Sequence, residues 1–166
     1  MNKQALQAQR QYFQMVHGVT MRLIASFQDQ DLGYHPKQNM RSIKELIYHM
    51  YSMEKVLALG IKEGKLLQEN ENLALPESQE GKAKLAELNT VAALQDYAAE
   101  CHKALDDAAE SMTDEQLKQP LEAPYGTFPT SQFFMFMYDE HWHHRGQLYT
   151  YARLIDREPP MLYDYQ

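Results

Sequence analysis

Asp139-Glu140-His141-Trp142-His143-His144-Arg145-Gly146-Gln147 lies inside the longest helical reading of the chain. That reading starts near Thr130 and runs to about Asp156, where Glu158-Pro159-Pro160 stops it, because proline cannot continue a helix. Phe133, Met137, Leu148 and Tyr151 recur at helical spacing and share a stripe with Glu140 and His144. His141 falls on the edge of that stripe. Three of the seven histidines thus crowd into four positions beside a carboxylate, on a helix face expected to point inward. An unpaired imidazole or carboxylate is expensive there.

Three further segments carry the same period. Phe13, Val16, Thr20, Leu23 and Phe27 mark a first helix from about Gln4 to Phe27. Ser42-Ile43-Lys44-Glu45 has capping-box spacing and opens a second helix, whose apolar stripe is Leu46, Met50, Met53, Leu57 and Ile61 and which ends near Gly64. Leu66 to Leu88 is a long polar connection with room for a short turn or two of helix. A third helix begins near Thr90, with Leu94, Tyr97, Cys101, Leu105, Ala108 and Met112 on one face. Thr113 to Gln116 is a second capping box, opening a short piece that stops at Pro120. Pro124 to Pro129 reads as a turn or loop. No strand-like alternation and no internal repeat are visible. The pattern predicts an all-α four-helix bundle with a long connection between helices 2 and 3, one domain over 1–166. The aromatic tail, Met161 to Gln166, is expected to pack back on the body.

The totals agree with that class. The chain has 166 residues, 44% hydrophobic and 23% charged, with only seven Gly and seven Pro, few enough to favour long regular elements. The net charge of −7 and the scattered basic residues argue against nucleic acid as the main ligand. Cys101 is the only cysteine, so no intrachain disulfide is possible and a reducing cytoplasm is the expected compartment. It reads as a small buried hydrophobe. The start of the chain is polar and lacks the apolar core of a signal peptide. The longest apolar run, Phe133 to Tyr138, is far too short to span a membrane.

On a helix, residues three or four apart are neighbours. Glu140 with His144, or His141 with His144, can therefore hold one cation; His143 is turned roughly 100° from His144 and does not easily join. A third ligand has to come from another helix. His49, flanking the second-helix stripe, is the best candidate, and His17 on the first helix is a second. Against this stands the plain alternative that such histidines are solvated surface residues or satisfied core residues; His17, His35 and His102 are read so by default. Arg145 reads first as a structural residue and second as a grip for an anion. Imidazole ligands suit Zn, Ni or Fe(II), and a carboxylate shifts the balance to harder ions. Occupancy of such a site falls as pH drops through the histidine range near 6.5, because ligation needs neutral imidazole.

His144-Arg145-Gly146-Gln147-Leu148-Tyr149-Thr150-Tyr151-Ala152-Arg153-Leu154 resembles the last-helix signature of the DinB/YfiT-like superfamily. Ser42 to Met50, a capped start leading to His49, resembles its second-helix signature; Pro124 to Pro129 and Glu158 to Asp164 also look like members of the group. The resemblance covers most of the chain from Ser42 onward. It implies a four-helix bundle, often a homodimer, with three histidines around a divalent ion: one on the second helix and two spaced i, i+4 on the last. It also implies metal-dependent transferases that use a low-molecular-weight thiol such as bacillithiol or mycothiol on a small-molecule substrate, and related isomerases. On this pattern His49 and His144 match two ligands. The middle position departs from it: Glu140 stands where the family has histidine, so either Glu140 or His141 supplies the third ligand.

Overall fold

A computed structural model describes residues 1–165. Four long helices build it: α1 (Lys3–Ala25), α2 (Ile43–Glu63), α5 (Val91–Ser111) and α7 (Thr130–Leu154). The connection between α2 and α5 carries two short helices, α3 (Gln68–Asn72) and α4 (Gln79–Leu85), and α6 (Asp114–Lys118) follows α5. The all-α four-helix architecture expected from periodicity is the one observed.

Local chemistry fixes the ends. Ser42 Oγ accepts the Glu45 N–H at 3.3 Å, and Glu45 Oε2 accepts the Ser42 N–H at 2.7 Å, so the capping box at the start of α2 closes on both sides. Gly64 ends α2 in the left-handed region at φ 75°, where a residue without Cβ pays no steric penalty. Thr90 caps α5 through the Ala93 N–H at 3.1 Å, and Thr113 caps α6.

One segment departs from the sequence reading. Residues 120–129 form an antiparallel hairpin, β1 (Pro120–Ala123) paired with β2 (Gly126–Pro129), in place of a plain loop. Each strand is only four residues long, too short for alternation to rise above composition. The hairpin is tied to the end of α2 by the Leu66 N–H donating to the Glu122 carbonyl at 2.7 Å. Its two-residue turn, Pro124 and Tyr125, holds the Tyr125 ring 6.2 Å from that of Phe133 on α7.

The core falls into two clusters along the bundle. One gathers Leu23, Ile47, Tyr51, Leu94, Cys101 and Leu148; the other gathers Phe13, Leu57, Leu105, Leu117, Phe133 and Met137. Between them α2 and α7 run side by side, and the polar residues of both helices meet there. Cys101 is fully buried, as its place on an apolar stripe suggested. The tail folds back on α1 and α7: Arg145 Nη2 donates to the Leu162 carbonyl at 2.9 Å, and the Tyr12 and Tyr165 hydroxyls are 3.1 Å apart. The last residue of the expected tail, Gln166, lies outside the described residues. No helix among the described residues is long and apolar enough to cross a membrane.

Candidate metal centre

His49 reaches the gap between α2 and α7 from the second turn of α2 and is 8% exposed. Its Nδ1 lies 2.7 Å from the carbonyl of Ala74. A carbonyl only accepts, so Nδ1 carries the hydrogen and Nε2 presents a lone pair. That lone pair stands 3.8 Å from Glu140 Oε2. On the facing helix His144 is buried too. Its Nδ1 is 2.8 Å from Gln147 Oε1, and its Nε2 is 3.1 Å from the same Glu140 oxygen. The two rings are 4.9 Å apart and nearly perpendicular. One ligand atom from each of His49, Glu140 and His144 falls within 4.8 Å of the others.

In the tautomer in which His144 donates Nδ1–H to Gln147 Oε1, as His49 donates to Ala74, two imidazole lone pairs and a carboxylate oxygen converge. Acceptors so placed repel each other unless a cation lies between them. The outward bonds are the usual means of holding a histidine ligand in one tautomer and orientation. The electrostatics agree: burial pushes the His49 pKa down to about 4, against the opposing pull of the Ala74 carbonyl. A neutral imidazole and an ionised carboxylate are the ligating forms. The residues present therefore fit a divalent ion. The Glu140 side chain is 44% exposed, which leaves the centre open on that side.

His141 is not part of this gathering. It is 1% exposed, at the middle of the inward face of α7, with Phe134, Met137 and Leu148. The face is rotated from the stripe drawn through Glu140, because α7 is apolar on most sides and its pattern does not single out one direction. His141 Nδ1 lies 3.3 Å from Glu54 Oε1, and its Nε2 lies 3.0 Å from Thr20 Oγ1. Glu54, fully buried on α2, also accepts His102 Nδ1–H at 2.8 Å from α5. His17 of α1 stacks on His102, ring centres 3.8 Å apart, and bonds the Tyr51 hydroxyl through Nδ1 at 3.0 Å. Each long helix thus gives one member to a buried polar layer: His17, Glu54, His102 and His141. His143 is exposed and lies against Gln147 and the His144 ring. His35 is exposed in the α1–α2 connection.

Sequence reasoning did not find Glu54. Its signal was its place between Met50 and Leu57, at helical spacing from both on the buried side of α2. Arg145 is 1% exposed; its guanidinium lies between the Trp142 and Tyr149 rings, 5.0 and 5.5 Å from their centres. With the Leu162 carbonyl this is a packing role, aromatic on both faces.

The full length of the chain, residues 1–166, matches the DinB family. The chain belongs to that family. Among solved structures, this DinB protein is similar to a DinB-like protein from Bacillus subtilis, YjoA, at 22% identity and a TM-score of 0.71, with 92% of this chain and 96% of that one covered. It is also similar to a mycothiol-dependent maleylpyruvate isomerase, at 17% identity and a TM-score of 0.69. The match covers 89% of this chain but only 63% of the isomerase, so the isomerase has substantial chain with no counterpart here. At these identities the likeness is one of fold. No curated protein matches the chain in sequence.

Proposed function

We propose that this DinB protein is a divalent-metal-dependent enzyme that transfers a low-molecular-weight thiol to a small electrophile. In this reading His49, Glu140 and His144 hold the ion. One observation carries it: His49 Nδ1 is committed to the Ala74 carbonyl, so the ring has only an acceptor to turn toward the Glu140 carboxylate. Two imidazoles and one carboxylate form a donor set that both Zn and Fe(II) accept. A divalent ion bound there supplies Lewis acidity, which lowers the pKa of a thiol or water that reaches it.

The chain's own residues do the rest. Ala74 and Gln147 keep both rings in the acceptor orientation. Glu140 would hold the ion through Oε2, the oxygen nearest both rings, leaving Oε1 to take the proton a thiol releases. The layer beneath, Glu54 with His141, fixes the rotation of α7 and so the direction of its ligands. Membership of the DinB family and likeness to a mycothiol-dependent enzyme support the thiol as cosubstrate. Cys101 is buried and takes no part.

The test is turnover of 1-chloro-2,4-dinitrobenzene by protein loaded with Zn, Ni or Fe(II), with and without added cysteine as the thiol. We expect product only with thiol and metal together, and its loss in His144→Ala. Equal product without thiol assigns a hydrolase instead. A bound ion with no turnover under any condition assigns a non-catalytic metal-binding module.

A further inference from the structure

A second hollow lies on the other side of the α2–α5 connection. It measures about 200 Å³ and sits between α2, α4 and α5, with Leu73 at its edge. Its floor is aromatic: the Tyr48 and Tyr97 rings stack at 16°, centres 5.6 Å apart. Val56 and Leu59 form an apolar wall. Two ammonium groups, Lys55 and Lys84, line it, with the exposed Glu80 as the single lining carboxylate.

The polar atoms of the floor are already spoken for. The Tyr48 hydroxyl donates to the Leu73 carbonyl. Ser52 Oγ is 2.8 Å from the Tyr97 hydroxyl, and the two share a hydrogen bond. These two bonds engage all three hydroxyls, and the rest of the floor is ring surface. An anionic group has two partners at the rim, Lys55 and Lys84. The rim lysines are free to change partners. Lys55 pairs with Glu100 and Lys84 with Glu87, at 2.7 and 2.8 Å, but both carboxylates are about two-thirds exposed, and such pairs hold weakly. Lys84 already lies over the Tyr97 ring, 5.6 Å from its centre, at the mouth of the hollow.

We propose that this hollow is a binding site for a small planar carboxylate, its ring or acyl body against Tyr48 and Tyr97 and its charge between Lys55 and Lys84. The site is separate from the metal centre and does not depend on the reading of that centre. The probes are benzoate, benzamide and benzylamine, which share a ring and differ in charge. Amide chemical shifts of the full chain are followed by two-dimensional NMR, which also reports whether each variant is folded. Benzoate is expected to shift Ser52, Leu59 and Tyr97 saturably. Benzamide and benzylamine are expected to bind at least tenfold more weakly. The double variant Lys55→Met with Lys84→Met should lose at least tenfold for benzoate. Leu59→Trp, which fills the hollow, should abolish the shifts. Equal binding of benzamide or benzylamine, unchanged binding in the lysine variant, or shifts confined to other residues would each overturn the proposal.

Discussion

Replacing Glu54 tests the buried layer most directly. Its carboxylate is fully buried, accepts from His102 Nδ1 at 2.8 Å and lies 3.3 Å from His141 Nδ1. Glu54→Ala leaves the buried His102 Nδ1 without a partner, at about 1–3 kcal/mol, removes the charge beside His141 and opens a small void. Part of that is recovered if a ring changes tautomer, so the expected loss is about 3–5 kcal/mol, the range for breaking a buried charged contact. Glu54→Gln keeps the volume and the acceptor for His102 but removes the charge that strengthens that bond; about 1–3 kcal/mol is expected. Urea unfolding at pH 7, extrapolated linearly to water, measures both. The pH dependence adds a sign. His102 and His141 hold the Glu54 carboxyl below its usual value of 4.5, against burial, which raises it. The Glu54 contribution is therefore complete above pH 4.5 and is lost as pH falls from there through the lower folded value. The gap between the native protein and Glu54→Gln should narrow over that window. A Glu54→Ala loss under about 1 kcal/mol, or a gap that widens with acid, refutes the account.

Metal content by mass spectrometry should fall to background in His49→Ala and His144→Ala, and strongly in Glu140→Ala. His141→Ala should keep its ion and lose stability instead, and full occupancy in all four would remove the centre. Gln147→Leu, which frees His144 Nδ1, should weaken metal binding by about 10–100-fold with no loss of fold, as judged by competition with a chelator. Burial pushes His17 down to about 3 from 6.5, with His102 adding to the effect, so the unfolded chain takes up a proton first as pH drops below 6.5. At pH 5 that difference is about 1.5 units, or about 2 kcal/mol of stability lost relative to pH 8. His17→Leu should flatten the urea midpoint between pH 8 and pH 5 by that amount; an unchanged slope shows that His17 titrates normally.

The bundle was legible because its information is local. Ser42 with Glu45, Thr90 and Thr113 mark helix starts by hydrogen bonds that span three residues, and Gly64 marks an end. The hairpin was not legible, since four-residue strands hold too few alternations and their pairing with Lys65 and Leu66 spans more than fifty residues. Of the centre, the spacing of Glu140 and His144 could be read along one helix, and His49 was reachable from the cap that precedes it. What spacing could not give was the rotation of α7. Met135 and Trp142 lie on its outer side and Phe133, Phe134 and Met137 on its inner side, so the apolar residues alone do not say which histidine faces α2. The partner that decides it for His141 is Glu54, a distant carboxylate on another helix.

Tyr48 and His49 are adjacent on α2 and both reach the segment that passes over them. Each takes one of two successive carbonyls: Tyr48 that of Leu73, His49 that of Ala74. The segment therefore works as a shared lever. Any displacement of it, by an occupant of the aromatic hollow or by shortening the loop, moves the oxygen that sets the His49 tautomer.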